Sequence, residues 1–533
     1  MKSIISLIAF LPFFAISPYF ISAQQPASKT TLKFDRVLDY VDRLYVDSVQ
    51  TDKLVEEAIR AMLEKLDPHS YYVTKEEFEE MNAPLKGNFD GVGVRFQIMQ
   101  DTIFVVQTIP GGPSEKVGIR AGDKFIEIDN KPVAGVGIKN SGVRDMLLGT
   151  KGTKVTVKVF RKGVPDLLTF IVTRDKIPIN SLDAAYMVTP TVGYIKLNNF
   201  SATSVTEFRA AMKDLKVKGM KDLVIDLQGN GGGYLNTAIE LCDELLDSDK
   251  LIVYTEGRSY PKEEYKSRFT GSFEKGRLIV LVDESSASAS EILSGAVQDW
   301  DRGLIVGRRS FGKGLVQKQL TLPDGSAMRL TTQRYYTPAG RCIQKPYNEG
   351  KEAYQKEKYS RYESGEAFYI DSIKIPDSLK YQTLIKKRTV FGGGGIIPDV
   401  FVPLDTTGTS EYWSRLLRKG IINQFSLNYV DQNREELVAK FPNFQEFKKN
   451  FDIETVIKEM IVYGDKEGVE YNEEAYQKSK QAIDLRLKAS IAQNIWDFAS
   501  FYEIINDLND SLQKAIETLN DGTYDKMKLA SNK

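Results

Sequence analysis

The chain has one histidine, His69, and two cysteines, Cys242 and Cys342, in 533 residues. With so few imidazole and thiolate ligands no metal cluster at a recognised spacing can form, so neither a metal nor another cofactor is expected. His69 also lies far along the chain from any candidate nucleophile, so a serine nucleophile here needs another base unless the histidine folds back to it. Cys242 shares an apolar helical stripe with Ala238, Leu241 and Leu245. A buried thiol is therefore the expected reading, with a Cys242–Cys342 disulfide as the alternative that export would permit. An excess of one charge is missing too: Lys+Arg and Asp+Glu each total 72. Nothing in that balance calls for nucleic acid or an anionic membrane surface as partner. Internal repeats are absent, which argues against a solenoid. A long apolar run occurs at the very start, where Lys2 precedes Ile4–Ile21 and Ser22-Ala23 offers a small-residue cleavage site. Residues 1–23 read as an export signal, and Pro12 and Pro18 make a permanent span less attractive. No cysteine lies near the junction to carry a lipid. The expected location is the periplasm or cell envelope, with the membrane touched only through the signal.

The length calls for several domains. Residues 24–85 read as a helical N-terminal region, with Val37, Leu38, Val41, Leu44 and Tyr45 on one stripe and Leu54, Ala58, Ile59, Met62 and Leu63 on another. His69 sits in a proline-containing break, Leu66-Asp-Pro-His-Ser70, which reads as a structural turn. Residues 86–176 change to short strands punctuated by glycine. Across residues 177–405 strands alternate with helices, which predicts an α/β core with a partly parallel sheet. Within it, residues 345–391 are rich in Lys, Glu and Tyr and read as a surface insertion. Residues 406–533 are helical in pattern and highly charged.

Chemistry is suggested between residues 278 and 317. A β-rich run, Leu278–Val282, stops in small residues, and Ile292, Leu293, Ala296 and Val297 then repeat at helical spacing. A hydroxyl at such a strand–turn–helix junction sits where free N–H groups favour developing negative charge. The competing reading is plain: Ser288 and Glu291 have the spacing of a helix capping box, which needs no chemistry. If Ser288 is a nucleophile, Lys313 is the leading base, because a desolvated ammonium loses its proton readily. A strand over 313–322 would place Gln317 on the same side as Lys313, able to hold the neutral amine. The glycine-rich loop 229–233 follows a buried strand but fits neither nucleotide-binding spacing. It can be a tight turn or, with a serine elbow downstream, an oxyanion hole.

Two resemblances extend this reading. Residues 86–176, with Pro110-Gly-Gly-Pro113 and Gly118-Ile-Arg-Ala-Gly-Asp123, resemble a PDZ domain. That resemblance implies that the turn Gly91, Val92, Gly93, Val94 receives a peptide's terminal carboxylate while the next strand pairs with the peptide. Together with Leu66–Ser70, Asp226-Leu-x-x-Asn-x-Gly-Gly233, Ser286-Ala-Ser-Ala-Ser-Glu-Ile292, Ser310-Phe-Gly-Lys-Gly314 and Thr337-Pro-x-Gly-Arg341, the block resembles the C-terminal processing, or tail-specific, proteases over residues 30–405. The family resemblance implies an α/β multidomain serine endopeptidase: a protease core with an inserted PDZ domain and helical N- and C-terminal regions. Ser288 would be the nucleophile, Lys313 the base and Gln317 its orienter, with Gly232 and Ala289 N–H groups as the oxyanion hole. Expected partners are protein or peptide substrates with free apolar C-termini, with a homodimer or an adaptor protein left open. The chain departs from the family in having Gln228 and Gly231 where Arg and Pro are frequent, and in the 345–391 insertion. The alternative reading is a catalytically silent PDZ scaffold that binds protein C-termini in the envelope; the presence of Ser, Lys and Gln together speaks against it.

Overall fold

Alternation with period two decides which layer covers each face of the central sheet. The computed structural model describes residues 28–529, so the expected export signal lies outside the described residues. Two compact units are present, residues 1–62 and 63–533. The described part of the first carries helix Lys29–Leu44, whose Ser28 cap accepts the Thr31 N–H at 3.1 Å, and most of helix Thr51–Glu64. Both expected apolar stripes fall on these two helices, except Tyr45, which is the C-cap of the first.

In the second unit the central sheet has six strands whose spatial order follows the chain: β1 (Leu182–Met187), β2 (Val192–Leu197), β3 (Asp222–Asp226), β4 (Leu278–Val282), β5 (Leu304–Gly307) and β6 (Val400–Phe401). The β1–β2 pair is antiparallel and every later pair is parallel. Helices α1 (Ser204–Val217), α2 (Leu235–Asp243) and α3 (Ala289–Asp299) make the crossovers. In a sheet whose parallel strands are added in sequence, crossovers of one hand put every helix on one face. Leu223, Ile225, Leu278, Val280 and Ile305 accordingly pack with Phe208, Leu241, Ile292 and Val297. The alternate residues Val224, Ile279, Leu281, Leu304 and Val306 need another cover. They receive it from the last described residues: Leu512, Ala515, Leu519 and Tyr524 close that face. The helices before them, among them Ile421–Lys440 and Glu473–Ile495, have a core of their own around Leu416, Phe447, Met460 and Leu487.

The PDZ block is an antiparallel sheet of strands Val94–Met99, Thr102–Thr108, Lys124–Ile128, Lys154–Phe160 and Leu168–Thr173, with helix Asn140–Leu147. Its entry strand Asn88–Gly91 pairs with its exit strand Asp175–Pro178, the form an inserted domain takes. A second antiparallel sheet centres on Ala327–Tyr336, flanked by Leu315–Thr321, Leu251–Gly257 and Tyr71–Val73.

Two sequence expectations need correction. Residues 345–391 are not a mere surface excursion. Helix Lys351–Glu363 buries Tyr354 and Arg361, and Arg361 donates to the carbonyls of Ser310 (2.7 Å) and Phe311 (3.1 Å). Its docking is polar, so no apolar stripe announced it. Lys313 lies ahead of its strand, which begins at Leu315 and carries a register shift between Val316 and Gln317. Cys242 and Cys342 are both free thiols, Cys242 buried.

Candidate active site

β4 ends at Val282, and four serines, Ser285, Ser286, Ser288 and Ser290, occupy the turn and the start of α3. Three of them are occupied with structure. Ser286 Oγ donates to the Leu227 carbonyl (2.7 Å), Ser290 Oγ to the Asn230 carbonyl (2.9 Å), and Ser285 Oγ accepts from Lys358 Nζ (2.8 Å). Ser288 is different. Its backbone has φ 57° and ψ −114°, a region costing a non-glycine residue about 1–3 kcal/mol and held only when the surroundings insist. They do: Ala287 N–H donates to the Asn230 carbonyl at 3.0 Å, and Ser288 N–H to Glu291 Oε2 at 2.8 Å. The Ser288–Glu291 pairing expected of a helix cap is therefore present. Of the four serines, Ser288 alone lines a cavity of about 350 Å³, together with Gly232, Ala289, Lys313 and Gln317.

Lys313 enters from the second sheet's side. Its Nζ donates to Gln317 Oε1 at 3.1 Å, and the bulge ahead of Gln317 is what lets the two meet although Lys313 is outside the strand. Burial first, and then the positive field of Arg329, lower its pKa to about 8. Gln317 Nε2 in turn donates to the His69 carbonyl. His69 thus folds back to the site through its backbone, whereas its ring Nε2 pairs with Tyr354 Oη at 2.8 Å. Burial and the nearby Lys313 push the His69 pKa down to about 4, so the ring is neutral near pH 7. The turn that places it is built by Asp67, which accepts the N–H groups of His69 (2.8 Å) and Ser70 (2.9 Å).

The glycine-rich loop reaches the serine from the other side. A Cβ on Gly232 would lie 2.8 Å from both the Ala287 carbonyl oxygen and Ser288 Cβ, so glycine alone allows this approach. Ala289 N–H has no acceptor among the described residues, while Gly232 N–H donates to Asn230 Oδ1 at 2.8 Å. The other predicted turn, Gly91–Val94, lies apart from this cavity in the PDZ domain. There Gly93 has φ +75°, and neither Val92 N–H nor Gly93 N–H has an acceptor among the described residues.

Two residues central to this geometry are not marked for that role by the sequence. Glu291, fully buried, accepts four hydrogen bonds: Ser288 N–H (2.8 Å) and Lys313 N–H (2.9 Å) on one oxygen, Gly312 N–H (2.7 Å) and Ser310 Oγ (2.6 Å) on the other. Burial raises its pKa against the pull of those donors. The Ser-x-x-Glu spacing was visible but pointed only to a cap. The Tyr335 hydroxyl lies between the carbonyls of Ser288 (3.0 Å) and Lys313; no pattern marked it.

The chain has relatives. Residues 191–350 match peptidase family S41, 104–161 a PDZ domain, 20–77 the N-terminal domain of the activating protease CtpB, and 412–497 a family of unknown function. The carboxy-terminal-processing protease of Bartonella bacilliformis is 37% identical over 329 residues, covering 60% of this chain and 74% of that protein. The carboxy-terminal processing protease CtpB of Bacillus subtilis is 32% identical over 334 residues, covering 62% and 69%. Among solved structures, the photosystem II D1 C-terminal processing protease is 30% identical with a TM-score of 0.33, covering 60% of this chain and 90% of that one. The chain belongs to the carboxy-terminal processing proteases, serine-type peptidases of family S41. Its mixed α/β core, PDZ domain and helical terminal regions are those expected from the sequence.

Proposed function

We propose that the protein is an exported endopeptidase that captures the free, apolar C-terminus of a protein through its PDZ domain and cleaves a nearby peptide bond by a Ser–Lys acyl-enzyme route. The observation that carries the reading is the buried amine of Lys313, bonded to neutral Gln317 in the cavity that Ser288 lines. A neutral Lys313 takes the Ser288 proton as Oγ attacks the peptide carbonyl, and the ammonium then protonates the leaving amine. A water repeats the attack on the ester and frees the enzyme. The oxyanion falls to Ala289 N–H and Gly232 N–H. The first is unengaged among the described residues; the second must leave Asn230 Oδ1, so an incoming carbonyl competes with that side chain.

The carboxylate of a bound C-terminus would meet the N–H groups of the Gly91–Val94 turn. Charge-assisted bonds of that kind are roughly twice as strong as neutral ones. Export rests on the apolar run Ile4–Ile21. A fluorophosphonate probe on the secreted protein tests the centre: the label should map to Ser288, with a rate that climbs as pH passes about 8. Labelling elsewhere, or a flat pH profile, sinks the Ser–Lys assignment. A substrate with a free carboxylate should be cut faster than its C-terminal amide; equal rates remove the PDZ domain from substrate capture.

A further inference from the structure

Strand Val94–Met99 of the PDZ sheet has two faces. Val94, Phe96 and Ile98 pack toward the domain core, so Arg95, Gln97 and Met99 point the other way. That second face is covered. Phe104 and Val106 of the neighbouring strand pack on Leu427 of the C-terminal helical region, and Gln107 Nε2 donates to the Trp496 carbonyl at 3.0 Å. Between the two regions lies a cavity of about 460 Å³, lined in part by Arg95, Gln97, Arg486, Ser490, Asn494 and Phe498.

Two cations share this cavity without an anion. Arg95 lies 5.2 Å over the Phe498 ring and Arg486 4.8 Å over the Phe501 ring, which occupies their flat faces and leaves N–H edges unused. Among the described residues neither guanidinium has an ion-pair partner, and Arg486 Nε has no acceptor. The Ser490 hydroxyl, on a residue 3% exposed, is unpartnered as well. Burial holds both arginines below their usual pKa range. Partly desolvated charges without partners are costly, and the guanidinium fork matches a carboxylate.

We propose that this cavity is a carboxylate site that reads an acidic side chain at the next-to-last residue of the captured C-terminus, an inference that rests on the PDZ capture put forward above. Strand Val94–Met99 ends its sheet, and its outer edge is unpaired among the described residues, so a peptide can add there as a further strand. Residues directly opposite in such a pair share a face. A terminal apolar side chain on the Phe96 side therefore puts its neighbour on the Arg95 side.

Two unstructured substrates that differ only at that residue, Glu against Gln, provide the test on the unaltered full-length enzyme. Glu should be favoured roughly tenfold in kcat/KM, chiefly through KM, and Lys should be disfavoured. Arg95→Gln and Arg486→Gln should each shrink the Glu preference, and Arg95→Glu should turn it toward Lys. A tetrapeptide too short to reach the PDZ domain should be cut at the wild-type rate by all three. Equal rates for Glu and Gln in the wild type overturn the proposal. If that same enzyme still prefers a free carboxylate to its amide, the capture reading survives; if it does not, that reading falls too. A Glu preference unchanged in the folded Arg95→Gln, Arg486→Gln double variant also overturns the site.

Discussion

The two walls of the Ser288 cavity are built in opposite ways. The serine wall is local: Ser288 caps α3 and Ala289 and Glu291 lie in its first turn, braced by a glycine loop from the adjoining strand. The lysine wall is assembled from distant segments. Lys313 leans on Gln317, Gln317 on the His69 carbonyl, and the His69 ring on Tyr354 of the 345–391 segment. Glu291 and Tyr335 belong to both walls, each meeting the backbone of Ser288 and of Lys313. The strain at Ser288 is thus held by its own turn and the glycine loop beside it, whereas the environment of the Lys313 amine depends on segments brought together from across the second unit.

The largest effect should come from the local wall. Ser288→Ala should lower peptide hydrolysis by about four orders of magnitude or more. Ser286→Ala and Ser290→Ala should keep turnover while losing stability, about 1 kcal/mol for Ser290, which gives up one hydrogen bond, and about 2 kcal/mol for Ser286, which also accepts the Asp283 N–H. Activity normalised to folded protein in the three variants decides whether strain at position 288 marks the nucleophile.

Lys313→Met should be equally inactive, yet more stable than the wild type at neutral pH. The folded pKa of Lys313 is about 8 against an ordinary 10.5, so between those values the unfolded chain binds more protons and stability rises with pH. The penalty is complete below pH 8 and gone above 10.5, and amounts to about 3 kcal/mol at most. Loss of the Gln317 partner offsets about 1 kcal/mol of the gain. Denaturant unfolding at pH 7 and pH 10.5 should show the difference shrinking; an equal gap at both values would mean the amine is not desolvated in the folded protein.

The sequence made the local wall legible because its parts are contiguous. Leu278–Val282 was readable as a strand by its apolar run, and the turn and helix were readable from Ser286–Ile292. The PDZ block was legible for the same reason, its glycine turns and strands lying in one continuous stretch. The second wall was only half legible. Lys313 and Gln317 are near each other in sequence, but the His69 carbonyl, Tyr335 and Tyr354 meet them by folding across the chain, and no local period marks such a contact. Glu291 is legible only as a helix cap, because four-fold acceptance by one carboxylate depends on a loop at 310–313 that the Ser-x-x-Glu spacing does not reveal. The face of the sheet covered by Leu512, Ala515, Leu519 and Tyr524 was hidden too, since those residues read as part of a separate helical tail.

Glu291→Gln should break the join between the walls. The amide replaces one acceptor oxygen with a donor that faces two hydrogen-bond donors, so kcat should drop about a hundredfold with little change in KM, and stability by about 2–3 kcal/mol. A loss of stability with unchanged kcat per folded molecule would show that the walls hold their spacing without it. The smallest effect should lie farthest out. Tyr354→Phe removes the bond to His69 Nε2 and should cost about 1 kcal/mol and no more than about fivefold in kcat; a larger fall would show that the assembled wall is stiffer than its chain of single contacts suggests.

The covering of the central sheet has a consequence in time. Strands β1 to β5 and their three helices are all made by residue 307, but the second face of that sheet waits for residues 512–529. A chain emerging from the ribosome or from an export channel therefore carries Ser288 and Lys313 for some two hundred residues of synthesis before the platform beneath them can close. The order of the gene therefore sets a sequence: the residues of the PDZ domain and of the Ser288 cavity are all synthesised before the residues that close the second face of the sheet.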